Sequence, residues 1–179
     1  NRLSEVLSKY DEQTKKRVNI VYHDLKAELN PLICGFIGKV DIILHLAASS
    51  HVDRSITHPM EFINDNIIGT ANLLEYARKL DDLETFLYFS TDEIFGAAPP
   101  GIAYDERARY NSTNPYSASK AAAEDFLTPM ANIAGKSLSA TVTKYRERIY
   151  GIANALSLSP STPWHVTIGN PLRPIFCSG

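Results

Sequence analysis

Two clusters of residues in this chain are of a kind that moves protons. The first is Thr91-Asp92-Glu93, a hydroxyl and two carboxylates placed soon after the apolar and aromatic run Phe86-Leu87-Tyr88-Phe89. The second is Asn114-Pro115-Tyr116-Ser117-Ala118-Ser119-Lys120, in which a phenol and an ammonium stand four residues apart. On a helix, side chains at i and i+4 share a face. A cation beside a phenol favours the ionised form, which brings a group of ordinary pKa about 10 toward use as a base at neutral pH. Two adjacent carboxylates divide acid and base duties when their surroundings keep one protonated and the other ionised. The combination predicts a site in which Tyr116, tuned by Lys120, works opposite Thr91, Asp92 and Glu93.

Those side chains need a frame. A short apolar run that ends in polar groups is the pattern of a buried parallel strand, and ligands of open α/β sheets bind beyond the carboxyl ends of such strands. Val18 to Tyr22, Val40 to His45 and Leu138 to Lys144 read as further strands. Residues 1–17 suggest a short surface helix, and residues 26–39 include another. From Pro59 a long helix carries Ile63, Ile67, Leu74 and Ala77 near a 3.6-residue period, with Arg78-Lys79 favouring its carboxyl end. The tyrosine helix is expected from about Asn114 to Thr128, because Pro129 discourages continuation. Alternating strands and helices imply an α/β fold with a doubly wound parallel sheet and right-handed crossovers. The glycines of Gly35-Phe36-Ile37-Gly38 precede a strand rather than follow one, so they do not form a phosphate turn. Ala97 to Gly101 breaks regular structure, and the charged stretch after it is a candidate lid over the site.

Composition narrows the classes. With 179 residues, 44% of them hydrophobic and 21% charged, the chain is long enough for one well-buried domain. A net charge of −2 offers no broad basic footprint for nucleic acid. Cys34 and Cys177 are too few for a disulfide framework or a metal knuckle, which fits a reducing, cytoplasmic setting. His51 and Asp53 have no third ligand nearby, so no metal site is expected. No apolar run approaches the roughly 20 residues of a membrane span.

The strings Phe89-Ser90-Thr91-Asp92-Glu93-Ile94-Phe95-Gly96 and Asn114 to Lys120 resemble the signatures of the extended short-chain dehydrogenase/reductases acting on nucleotide sugars, and among them the dTDP-glucose 4,6-dehydratases. The resemblance implies a Rossmann-like NAD-binding fold and a nucleotide-sugar substrate. It places Asp24 and Leu25 against the adenine of NAD, lines the cofactor with Leu46, Ala47, Ala48, Ser49 and Ser50, and sets Tyr116 and Lys120 at the nicotinamide end. Ser50 and Thr91 would touch the sugar. Thr91, Asp92, Glu93, Tyr116 and Lys120 would be catalytic: Tyr116 as base toward the 4-hydroxyl, Glu93 removing the proton acidified by the resulting ketone, and Asp92 protonating the departing 6-hydroxyl. Three positions depart from the family. Ser49 stands where glutamate or a larger polar residue is usual, Asp65 replaces a threonine that contacts the cofactor, and Arg148 replaces an asparagine that contacts the sugar.

The resemblance covers roughly residues 18 to 151. It implies that the first strand and the glycine-rich turn lie upstream of Asn1, so that residues 1–151 form a partial NAD-binding domain and residues 152–179 a divergent, loosely ordered tail. Full-length relatives are expected to be homodimers. Two other readings stay open at this point. A 4-epimerase, reductase or decarboxylase of the same fold needs the Thr/Tyr/Lys set but not the carboxylate pair, and a truncated remnant would bind nucleotide without catalysis.

Overall fold

The computed structural model of the protein describes residues 2–105, 107–134, 138–142 and 164–168. The first stretch forms two helices rather than one, α1 (Arg2–Leu7) and α2 (Glu12–Lys16). Asp11 is the reason: its carboxylate accepts the Thr14 amide at 2.9 Å and the Thr14 hydroxyl at 3.0 Å, which starts a new helix. Strand β1 (Val18–Tyr22) follows, then α3 (Pro31–Ile37), capped by the Asn30 side chain on the Ile33 amide and closed by Gly38 at φ 76°. Gly35 and Gly38 therefore belong to a helix and its end, not to a phosphate turn.

Strand β2 (Ile42–His45) leads through α4 (Val52–Thr57) into a long helical arm. The arm begins as α5 (Pro59–Phe62), widens into a π-type segment at Ile63–Ile68, and continues as α6 (Gly69–Arg78). Strand β3 (Thr85–Ser90) comes next and runs into a 3₁₀ turn at Asp92–Phe95. Helix α7 (Pro115–Ala134) and strand β4 (Leu138–Val142) complete this part. Helix α7 continues past the expected stop at Pro129. An interior proline costs about 3 kcal/mol, but Leu127 is buried before it and Met130 packs on the same core after it, so tertiary contacts hold both sides helical.

Strands β2, β3 and β4 form a parallel sheet in the order β2-β3-β4, with His45 beside Tyr88 and Ser90 beside Val142. Phe86 and Tyr88 of β3 are almost wholly buried against Leu74 and Ala77 of α6 and Ala123 and Leu127 of α7. Full burial of side chains of this size contributes about 1.5–3 kcal/mol each, so both helices are held to β3. Val21 of β1 packs on Ile37 and Tyr76 and ties β1 to α3 and α6.

Residues 164–168, expected to lie in a loosely ordered tail, form strand β5 (Trp164–Ile168), which pairs in parallel with β1 from Val18–Trp164 to Tyr22–Ile168. Trp-His-Val-Thr-Ile is rich in aromatic and β-branched residues, and β1 has no other strand neighbour among the described residues. The remainder of the expected tail and Arg148 lie outside the described residues.

Candidate active site

Strand β3 carries the polar cluster to its carboxyl end and stops there, because the Thr91 hydroxyl caps the following 3₁₀ turn by accepting the Glu93 amide at 3.4 Å. Gly96 ends the turn at φ 70°. The chain then loops out and returns at Asn111, whose amide donates to the Ile94 carbonyl at 2.8 Å, while Phe95 packs its ring near those of Tyr104 and Tyr110. The candidate lid is thus folded back on the turn that carries the acids.

Helix α7 begins where that loop ends. Asn114 caps it by accepting the Ser117 amide at 2.8 Å, and its Nδ2 donates to Glu93 Oε2 at 3.1 Å. One side chain therefore fixes the start of the tyrosine helix and one of the two carboxylates. Tyr116, on the first turn, is buried with its phenol toward Thr91 and the acid pair. Burial pushes the phenol above its ordinary pKa, the Thr91 hydrogen bond opposes this, and the Glu93 and Asp92 charges add to it. This differs from the downward tuning by Lys120 expected from spacing. The Lys120 ammonium is turned to the Phe89 carbonyl, 2.6 Å away, and lies 4.1 Å above the Tyr88 ring. Burial brings Lys120 down to about 8, against the opposing charge of Glu124. At neutral pH it is mostly an ammonium that sheds its proton easily. The two carboxylates have different surroundings, with Asp92 exposed and Glu93 half-buried.

A second layer lies behind these groups. Asn66, 1% exposed, accepts the Ser49 amide at 2.7 Å and donates from Nδ2 to the Ser49 carbonyl at 2.9 Å and to Ser119 Oγ at 2.8 Å. Ser119 in turn donates to the Tyr116 carbonyl at 2.7 Å. The loop after β2 and the tyrosine helix are thereby joined through one amide. His45, also buried, meets the Thr70 hydroxyl at 2.9 Å, and Thr70 donates to the Asn66 carbonyl at 2.6 Å. Burial holds His45 down to about 3, with the Lys120 charge adding to the effect, so the ring is neutral.

The residues expected at the cofactor stand in three places: the loop after β2, the end of β1, and the first turns of α7, which carry Tyr116 and Lys120 as described above. Ala47, Ala48 and Ser49 are half-buried in the loop after β2, with Leu46 and Ser50 exposed at its two ends. The one hydroxyl proton of Ser49 is committed to Asp65 Oδ2 at 2.6 Å, so toward a ligand this hydroxyl can only accept. Asp24 is half-buried at the end of β1, whereas Leu25 is buried, with its carbonyl held by Asn72 Nδ2 at 2.8 Å and its Cβ next to Gly69. Asn114, Ser119, Thr70 and Lys26 are structural partners that the sequence reading did not single out. Asn114 alone carried a signal, an asparagine directly before Pro-Tyr at a helix start. Among the described residues no group of three His, Cys, Asp or Glu side chains could hold a metal, and no helix is long and apolar enough to cross a membrane.

A family model described as GDP-mannose 4,6 dehydratase matches residues 1–144. The chain belongs to the GDP-mannose 4,6-dehydratase family. Relatives similar to it include the dTDP-glucose 4,6-dehydratase of Haemophilus influenzae, 35% identical over 148 residues, with 78% of this chain and 43% of that protein covered. The Escherichia coli dTDP-glucose 4,6-dehydratase is 45% identical over 101 residues, 47% of this chain and 28% of that one. The chain thus spans less than half the length of either. Among solved structures, DesIV of Streptomyces venezuelae, a dTDP-glucose 4,6-dehydratase with NAD and TYD bound, superposes with a TM-score of 0.60 at 31% identity, covering 67% of this chain and 36% of that one. The Thermus thermophilus UDP-glucose 4-epimerase in complex with NAD gives a TM-score of 0.59 at 28% identity, covering 66% and 38%. The parallel α/β architecture is therefore that of the NAD-binding dehydratases and epimerases.

Proposed function

We propose that the protein to which this chain belongs dehydrates a nucleotide-activated hexose to the 4-keto-6-deoxy sugar with NAD as cofactor. The observation that carries this reading is the meeting of Tyr116 with Thr91, Asp92 and Glu93 at the carboxyl end of β3. The residues present fit a dinucleotide. Small side chains in the loop after β2 leave backbone open to a flat ligand, and Asp24 stands at the neighbouring strand end as an acceptor for an amino group. Asp24, Leu25 and Leu46 to Ser50 would hold the adenosine side, and Tyr116 and Lys120 the nicotinamide side.

NAD, when bound, supplies the redox chemistry, taking hydride from C4 of the sugar and returning it to C6. The chain's own residues handle the protons. Tyr116, with Thr91 donating to its oxygen and so favouring the phenolate, receives the 4-hydroxyl proton. Glu93, steadied by Asn114, takes the proton from C5 once the 4-ketone has acidified it. Asp92, on the exposed side, delivers a proton to the departing 6-hydroxyl. Glu93→Gln in the full chain should retain sugar oxidation and lose elimination by about 10²- to 10⁴-fold. An unaltered rate of 4-keto-6-deoxy product, followed by mass through the loss of water, would refute the assignment.

A 4-epimerase reading has the superposition on the Thermus enzyme in its favour and the Asn114–Glu93 bond against it, since epimerisation gives that carboxylate no task. An epimerised product of unchanged mass would favour it. Self-association is supported by Ile56, Met60 and Ile63, exposed apolar side chains on successive turns from α4 into the helical arm. A cytoplasmic location is supported by the free Cys34 thiol.

A further inference from the structure

Lys26 lies between two carboxylates that belong to different parts of the fold. Its Nζ is 3.2 Å from Asp24 Oδ2 at the end of β1 and 3.4 Å from Asp65 Oδ1 in the π-type segment. Its backbone amide donates to the other oxygen of Asp24 at 3.1 Å. Asp65 in turn accepts the Ser49 hydroxyl. Cation, carboxylate and hydroxyl thus form a chain that runs from the loop after β1 to the loop after β2, between the two strand ends that would receive the adenosine half of the cofactor.

Both Asp24 oxygens are engaged by Lys26, one through the amide and one through the ammonium. A ring amino group that donates to Asp24 competes with that ammonium. Asp65 offers the ammonium a second seat at nearly equal distance, so release from Asp24 costs little Coulomb energy. The cation is already shared: partial burial works against the Lys26 charge, but the Asp24 hydrogen bond and the Asp65 and Asp24 charges outweigh it and raise its pKa.

We propose that Asp65 is a specificity-determining residue of the cofactor groove, taking Lys26 away from Asp24 so that Asp24 is free to accept the amino group of an adenine ring. This rests on the NAD reading above and assigns a task to a residue that the reading leaves unused. Asn in place of Asp65 still accepts the Ser49 hydroxyl but no longer holds a cation. Lys26 then stays on Asp24, and the preference for an amino-bearing ring falls.

The test is calorimetric titration of the full chain with NAD and with its hypoxanthine analogue, which lacks the ring amino group. Asp65→Asn should weaken NAD binding about three- to fivefold, the size of one partly exposed ion pair, and leave the hypoxanthine analogue less affected. Lys26→Met should bind NAD at least as tightly as the parent chain, and adding Asp65→Asn to it should have no further effect. Equal NAD affinity for the parent and Asp65→Asn, or an Asp65→Asn effect that persists in the Lys26→Met background, overturns the inference while the NAD reading stands. A parent chain that shows no saturable NAD binding at millimolar cofactor overturns the NAD reading and the inference together. Circular dichroism of each variant checks that Lys26→Met, a change on the exposed side of the chain, keeps the fold.

Discussion

Thr70 hands its single hydroxyl proton to the Asn66 carbonyl, so its oxygen can only accept from His45, and the imidazole must carry its proton on Nε2. A neutral ring sealed at this position makes stability depend on acidity. The folded-state pKa of about 3 lies below the ordinary value of 6.5. Between those limits the unfolded chain binds a proton that the native chain does not. Stability therefore falls as pH drops through that window, by up to about 1.4 kcal/mol per pH unit. Urea unfolding at pH 7 and pH 5 should show the parent losing about 2 kcal/mol more than His45→Gln, whose amide can still donate to Thr70. Parallel losses in the two proteins would mean that His45 is not held neutral. The proton-moving residues were legible at this scale because Tyr, Lys, Asp and Glu are uncommon after an apolar strand or on a buried helix face. Ser119 and Thr70 were not, since a serine or threonine shows its role only through partners such as Asn66 and His45, far away along the chain.

At the scale of elements, the strand ends and helix starts were readable from periodicity and caps, and the misses have physical causes. Asp11 divides what looked like one helix, and core packing carries α7 through Pro129. The π-type segment left no trace in the apolar spacing, because Ile63 and Ile67 satisfy a 3.6-residue period equally well. Gly96 is the position where backbone conformation controls the site most directly. At φ 70° a side chain is strained, and a Cβ there would stand 2.5 Å from the Asn111 carbonyl. Gly96→Ala should cost at least about 2 kcal/mol and loosen the return of the loop to Ile94. A thermal melt checks the first, and protection of the Asn111 amide against hydrogen exchange checks the second. An unchanged melting temperature would show that the turn relaxes freely.

For the whole molecule, the pairing of β1 with β5 is the feature no sequence pattern announced, because strand pairing across so long a separation has no local signature. A two-stranded pair is marginal by itself in water, and β1 is tied to the rest through Val21 on Ile37 and Tyr76. Trp164 begins β5 and is the one tryptophan of the chain, so its emission reports this pair alone. During urea unfolding its midpoint should come at lower denaturant than the loss of far-ultraviolet circular dichroism, which follows the helices. Coincident midpoints would mean that the two sheets unfold as one unit. The wide segment of the helical arm has a further consequence for how such a chain can change over generations. Its winding there depends on residue number more than on residue identity. Deleting one position from 63 to 68 would let the helix return to regular pitch while α5 and α6 keep about their present orientation, because the wide turn is where one extra residue is taken up. The exposed positions Ile63, Asn64 and Ile68 leave room for such a loss, whereas Asp65 and Asn66 are held to the loop after β2 by their bonds to Ser49 and admit neither deletion nor exchange so readily.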